Sequence, residues 1–68
     1  MGIAKIVLKV LSSNNQVQKP EPIELGPDQG ALIPQAGDRI LAPGFSMDIV
    51  RRKFEFEGDV LYVFLEDR

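Results

Sequence analysis

The chain contains no cysteine, no histidine and no tryptophan. Without thiols or imidazoles, zinc-finger chemistry and disulfide stapling are both excluded, two devices that reinforce small domains. The same gaps rule out a Ser-His-Asp set and a nucleophilic cysteine, and no glycine-rich phosphate loop takes their place. With one tyrosine and no tryptophan, the chain is poorly equipped for an aromatic-lined peptide groove. No apolar run approaches the roughly 20 residues needed to cross a bilayer. There is also no excess of positive charge: 8 Lys and Arg stand against 10 Asp and Glu, a net charge of −2. Bulk attraction to nucleic acid is therefore not expected.

The N-terminal stretch Met1 to Leu11 is interrupted by Lys9 and followed by no small-residue cleavage site. It does not read as a signal peptide. Lys5 and Ile6 leave no Ser or Thr at the sixth position, so myristoylation at Gly2 is not expected either. A cytoplasmic location is the expectation, in keeping with the lack of cysteine.

Sixty-eight residues make one domain near the lower limit for independent folding. Such a chain buries only about 60% of the surface its unfolded form exposes. Its core contributes ~3–5 kcal/mol net. Without metal or disulfide, stability must come from good β-packing or from a further face buried in an oligomer.

The most informative pattern lies at the C-terminal end. From Ile49 to Glu66 the sequence alternates, stops at Gly58-Asp59, and alternates again. A two-residue loop there sets Glu57 opposite Val60, Phe56 opposite Leu61, Phe54 opposite Val63 and Arg51 opposite Glu66. Apolar parity then meets apolar parity, so turn and pattern agree on one register. Ala4, Ile6, Leu8 and Val10 share one side of a first strand, with Lys5, Val7 and Lys9 on the other. Clean alternation and β-branched residues favour a strand over a helix there. A flexible polar loop follows at about residues 12–22, where Pro20 and Pro22 forbid a central strand.

Ile23-Glu24-Leu25 and Arg39-Ile40-Leu41-Ala42 are short strands, the second ended by Pro43-Gly44, a type II turn signature. Phe45 to Phe56 reads as one long strand, bent near Ser46-Met47-Asp48; the helical alternative is a single turn over residues 46–52. The whole predicts an all-β domain of about five strands that curl to cover a core. A five-stranded SH3-like barrel or rolled antiparallel sheet with a C-terminal β-hairpin is the expected form. An OB-like barrel is the alternative.

Pro34-x-x-Gly37-Asp38-x-Ile40, a glycine turn and the strand from Val50 through Lys53-Phe54 carry a resemblance. Over Ile33 to Asp67 the chain resembles a group of small, uncharacterised bacterial and phage β-barrel proteins of SH3-like form. These show Pro-x-x-Gly-Asp-x-Val, a short turn, a Tyr-x-Val strand and a final hydrophobic strand ending in acidic residues. Met47 departs from that pattern, standing where an aromatic is usual. The resemblance implies a fold and an origin in a phage, plasmid or other mobile element. It implies no activity.

Two surfaces are candidates for function. Val60, Tyr62 and Phe64 share the parity that faces water if only one side of the hairpin is covered. With Lys53 beside them they form a candidate homo-oligomer or protein interface, of the kind where aromatics concentrate. The competing reading puts this stripe inside a rolled barrel, covered by the first strand or the long loop. Arg51, Arg52 and Lys53 form the one basic cluster, a candidate contact for nucleic-acid phosphates with Phe54, Phe56 or Tyr62 as stacking partners. Strand alternation divides that cluster, since Arg52 faces opposite to Arg51 and Lys53.

No catalytic, cofactor-binding or metal-ligating set is evident. Asp28, Asp38, Asp48, Asp59 and Asp67 fall mostly beside Gly or Pro, where Asx side chains stabilise turns. The plasmid-type dihydrofolate reductases catalyse from a small SH3-like barrel, but their Val-Gln-Ile-Tyr signature is absent, and Val60-Leu61-Tyr62-Val63 does not replace it. A non-enzymatic interaction module, self-associating and without cofactor, is the expected function; a nucleic-acid-binding barrel is the alternative.

Overall fold

The computed structural model describes residues 2–12 and 20–68. Six strands run through them: β1 (Lys5–Leu11), β2 (Ile23–Leu25), β3 (Arg39–Ala42), β4 (Phe45–Asp48), β5 (Arg51–Glu57) and β6 (Val60–Glu66). A single 3-10 turn, Gly30–Leu32, is the one helical element among the described residues. The fold is all-β. Most of the loop expected at 12–22 lies outside the described residues.

The turns follow from their residues. Gly58 takes φ 62° in a two-residue loop between Glu57 and Val60, the glycine-first arrangement that matches strand twist. Gly44 takes φ 73° between Ala42 and Phe45, as a Pro-Gly type II turn requires. Gly37, at φ 98°, occupies the third position of a turn closed by Asp38 N–H to the Gln35 carbonyl at 3.0 Å. Asp38 Oδ2 accepts back from the Gln35 N–H at 2.8 Å. The Gly-Asp pair of the Pro34–Ile40 motif is therefore turn chemistry.

Four strands form a mixed sheet in the order β2-β1-β6-β5, and β3 and β4 form a separate hairpin. The β5–β6 register is the one expected, from Arg51 opposite Glu66 to Glu57 opposite Val60. β1 lies parallel to β6 over its full length, Lys5 opposite Val60 through Leu11 opposite Glu66. The sheet is thus mixed, where a purely antiparallel roll was expected. β2 and β5 each have one ladder neighbour.

The expected long strand from Phe45 to Phe56 is two strands. Ile49 extends the hairpin ladder, donating to the Asp38 carbonyl and accepting from Gly37 N–H, while Val50 N–H donates to Glu66 on β6. The chain changes sheets between these neighbours. This break lies just beyond the bend expected at 46–48, and it lets Ile49 bury beneath the hairpin at 2% exposure.

The core lies between the sheet and the hairpin. Ile6, Leu8 and Val10 of β1 and Leu61, Val63 and Leu65 of β6 meet Phe45, Met47, Ile49 and Ile33. Among the described residues no polar or charged residue is buried, so the core is an apolar layer.

Candidate functional site

The register divides the sheet into two faces. On the inner face, across β1, β6 and β5, the rows are Ile6–Leu61–Phe56, Leu8–Val63–Phe54 and Val10–Leu65–Arg52. The first two residues of each row are buried. The third is not, because the covering hairpin has only two strands of four residues each. Phe54 is 42% exposed and Phe56 68%. All seven residues of β5 are exposed.

On the outer face Val60, Tyr62 and Phe64 form the central row and are half-buried. Their in-plane neighbours are Lys5, Val7 and Lys9 on one side and Glu57, Glu55 and Lys53 on the other. The Lys9 ammonium lies 5.0 Å from the centroid of the Tyr62 ring and 5.9 Å from that of Phe64. One lysine therefore lies over both aromatics, its stem on the apolar surface and its charge at the ring faces. Val7, between these long side chains, is only 7% exposed. The expected interface stripe is thus brought together, partly shielded by the sheet's own side chains.

The three cations are dispersed. Arg51 Nε donates to Glu66 Oε1 at 2.7 Å, the cross-strand pair expected from the register. Arg52 lies on the inner face, its guanidinium 5.0 Å from the Phe54 ring centroid. It also makes a long hydrogen bond to the Pro34 carbonyl at 3.4 Å. Lys53 lies on the outer face with its ammonium 3.7 Å from Glu55. Three adjacent cations present two faces, each with an anion or an aromatic ring at hand.

An open cleft of about 470 Å³ is lined by Arg39, Ser46, Met47, Asp48, Val50 and Asp67. Two of its three charged residues pair, Arg39 Nε donating to Asp48 Oδ1 at 2.7 Å. That bond and the Asp48 charge raise the guanidinium pKa. Lys5 is raised in the same way by its hydrogen bond and charge contact with Glu24. Among the described residues no group of His, Cys, Asp and Glu could hold a metal ion, and no helix is long and apolar enough to cross a membrane.

Sequence reasoning missed two features. One is the exposure of Phe54 and Phe56, which share parity with Leu61 and Val63 but lie beyond the reach of the narrow hairpin. The available signal was that two short strands cannot cover four. The position of Lys9 over Tyr62 depends on the parallel β1–β6 pairing, which no local pattern announces. No family model, curated protein or solved structure matches this chain.

Proposed function

We propose that this chain is a non-enzymatic protein-interaction module that associates with itself through the β5–β6 hairpin. One observation supports this above all. β5 is a seven-residue strand, exposed throughout, at the open edge of the sheet. Such an edge presents unpaired N–H and C=O groups to another chain, and β5 adds two partly exposed phenylalanines on one face. A domain of this size also gains more than most from extra buried apolar surface. The half-buried stripe of Val60, Tyr62 and Phe64, with Lys53, forms the other face of the same hairpin.

The reading includes no catalytic role and no cofactor, because Arg39 and Asp48 of the open cleft are engaged with each other and Asp67 accepts from the Ser12 hydroxyl. For the fold we propose an SH3-like form, supported by a short hairpin that shares its core with a sheet and by glycine-set turns. A cytoplasmic location and an origin in a phage or other mobile element belong to the same proposal. They rest on the missing cysteine and on the Pro34–Ile40 resemblance.

Size-exclusion chromatography with light scattering, from low to high micromolar protein, tests the central point. A mass rising with concentration from monomer towards dimer is expected. A strict monomer across that range would remove the self-association reading.

A further inference from the structure

The hairpin loop fixes which backbone groups of β5 are free. Glu57 and Val60 flank the Gly58-Asp59 loop as the closing pair, and a turn of this kind is closed by a hydrogen bond between them. Antiparallel ladders alternate bonded and unbonded pairs. Glu57, Glu55, Lys53 and Arg51 therefore direct their N–H and C=O groups to β6, while Arg52, Phe54 and Phe56 direct theirs to the open edge. A second β5 bound there in antiparallel orientation must set even-numbered residues opposite even-numbered ones.

The side chains then select one register. Centred on Phe54, Lys53 meets Glu55 of the partner subunit and Arg51 meets Glu57 of the partner subunit, with the same pairs repeated by symmetry. On the other face Phe54 meets the partner's Phe54, and Arg52 meets the partner's Phe56. Sliding by two residues in one direction sets Lys53 against the partner's Lys53. Sliding the other way sets Glu55 against the partner's Glu55. Of these three registers, only the central one joins opposite charges throughout.

We propose that two copies of this chain pair β5 to β5, antiparallel, about a two-fold axis at Phe54, making one continuous sheet. The inference rests on the self-association reading above and specifies its geometry. Charges on an edge strand commonly repel a second strand. Here the signs run basic then acidic, mirrored about the centre, so the edge opposes most partners but fits its own copy. The ion pairs fall at the unbonded positions, where opposing Cα atoms approach to about 4.5 Å and side chains are closest. Glu57 has no ion-pair partner among the described residues, and the partner's Arg51 supplies one. Arg52 already lies over an aromatic ring within its own chain, the contact it would repeat with the partner's Phe56.

A charge-exchange experiment reads the register. Sedimentation equilibrium is run on the wild type, Lys53→Glu, Glu55→Lys, their equimolar mixture and the double variant. Each single variant sets like charges opposite each other twice and should weaken dimerisation by about tenfold or more. The mixture and the double variant restore opposite charges at every position and should recover the wild-type association. Recovery on mixing also shows that both single variants are folded. A wild type that stays monomeric refutes self-association itself. A wild type that dimerises, with single variants unaffected or not rescued on mixing, leaves self-association standing and overturns this register.

Discussion

Phe56 and Leu65 sit on the same face of the same sheet, yet truncating them should have very different consequences. In the isolated chain Phe56 is 68% exposed, whereas Leu65 is 1% exposed. Full burial of such a side chain is worth about 1.5–3 kcal/mol, so the third of Phe56 that is covered contributes about 0.5–1 kcal/mol. Leu65→Ala removes fully buried atoms and leaves a cavity, at about 2–5 kcal/mol. Against a net stability of ~3–5 kcal/mol for a domain this small, the first loss is tolerable and the second removes most of the folded population. Urea unfolding of dilute protein, followed by far-ultraviolet circular dichroism, measures both. As protein concentration rises, the wild-type midpoint should climb through coupling to dimerisation, and that of Phe56→Ala should climb less. Equal destabilisation by the two substitutions in dilute protein would mean that Phe56 is buried in the monomer, with something covering β5.

Further expectations follow from the outer face and the turns. Phe64→Lys would place a third ammonium in line between Lys9 and Lys53, its neighbours in register, and should cost about 1 kcal/mol or more in thermal stability. Lys9→Met keeps the stem but removes the charge over Tyr62 and Phe64, with an expected loss of about 0.5–1 kcal/mol by urea titration. Gly58 has φ 62°, and a Cβ added there would meet nothing within 4 Å, so Gly58→Ala should lose about 1 kcal/mol through backbone strain alone. D-alanine at the same position, introduced by synthesis, should not show that loss in thermal melts. Single-stranded DNA added at low salt should leave fluorescence anisotropy flat, because Arg51 and Lys53 face away from Arg52.

The hairpin was legible in the sequence because two independent signals agree there. The Gly58-Asp59 loop fixes a two-residue connection, and the parity of Phe54, Phe56, Leu61 and Val63 accepts only one register with it. The structure realises that register in full, including Arg51 with Glu66. The pairing of β1 with β6 was not legible, because both strands carry apolar residues on both faces and any neighbour would satisfy them. The break at Ile49-Val50 was hidden by two β-branched residues that continue the strand pattern without Gly or Pro. What separates them is tertiary: Ile49 completes the core under the hairpin, and Val50 joins the sheet. The exposed side of β5 was missed for a related reason, since parity tells which face a residue takes and not whether anything reaches far enough to cover it. For the proposed interaction surface, sequence pointed to the hairpin and its outer stripe, while the open edge emerged only with the strand order.

Amide hydrogen exchange, resolved by residue and repeated over a concentration series, tests most directly whether copies meet along the open edge of β5. The N–H groups of Lys53 and Glu55 should be protected at every concentration by their bonds to β6. Those of Arg52, Phe54 and Phe56 should exchange rapidly in dilute protein and become protected as dimer accumulates. Rapid exchange at Phe54 in a sample that light scattering shows to be dimeric would place the contact elsewhere than on β5.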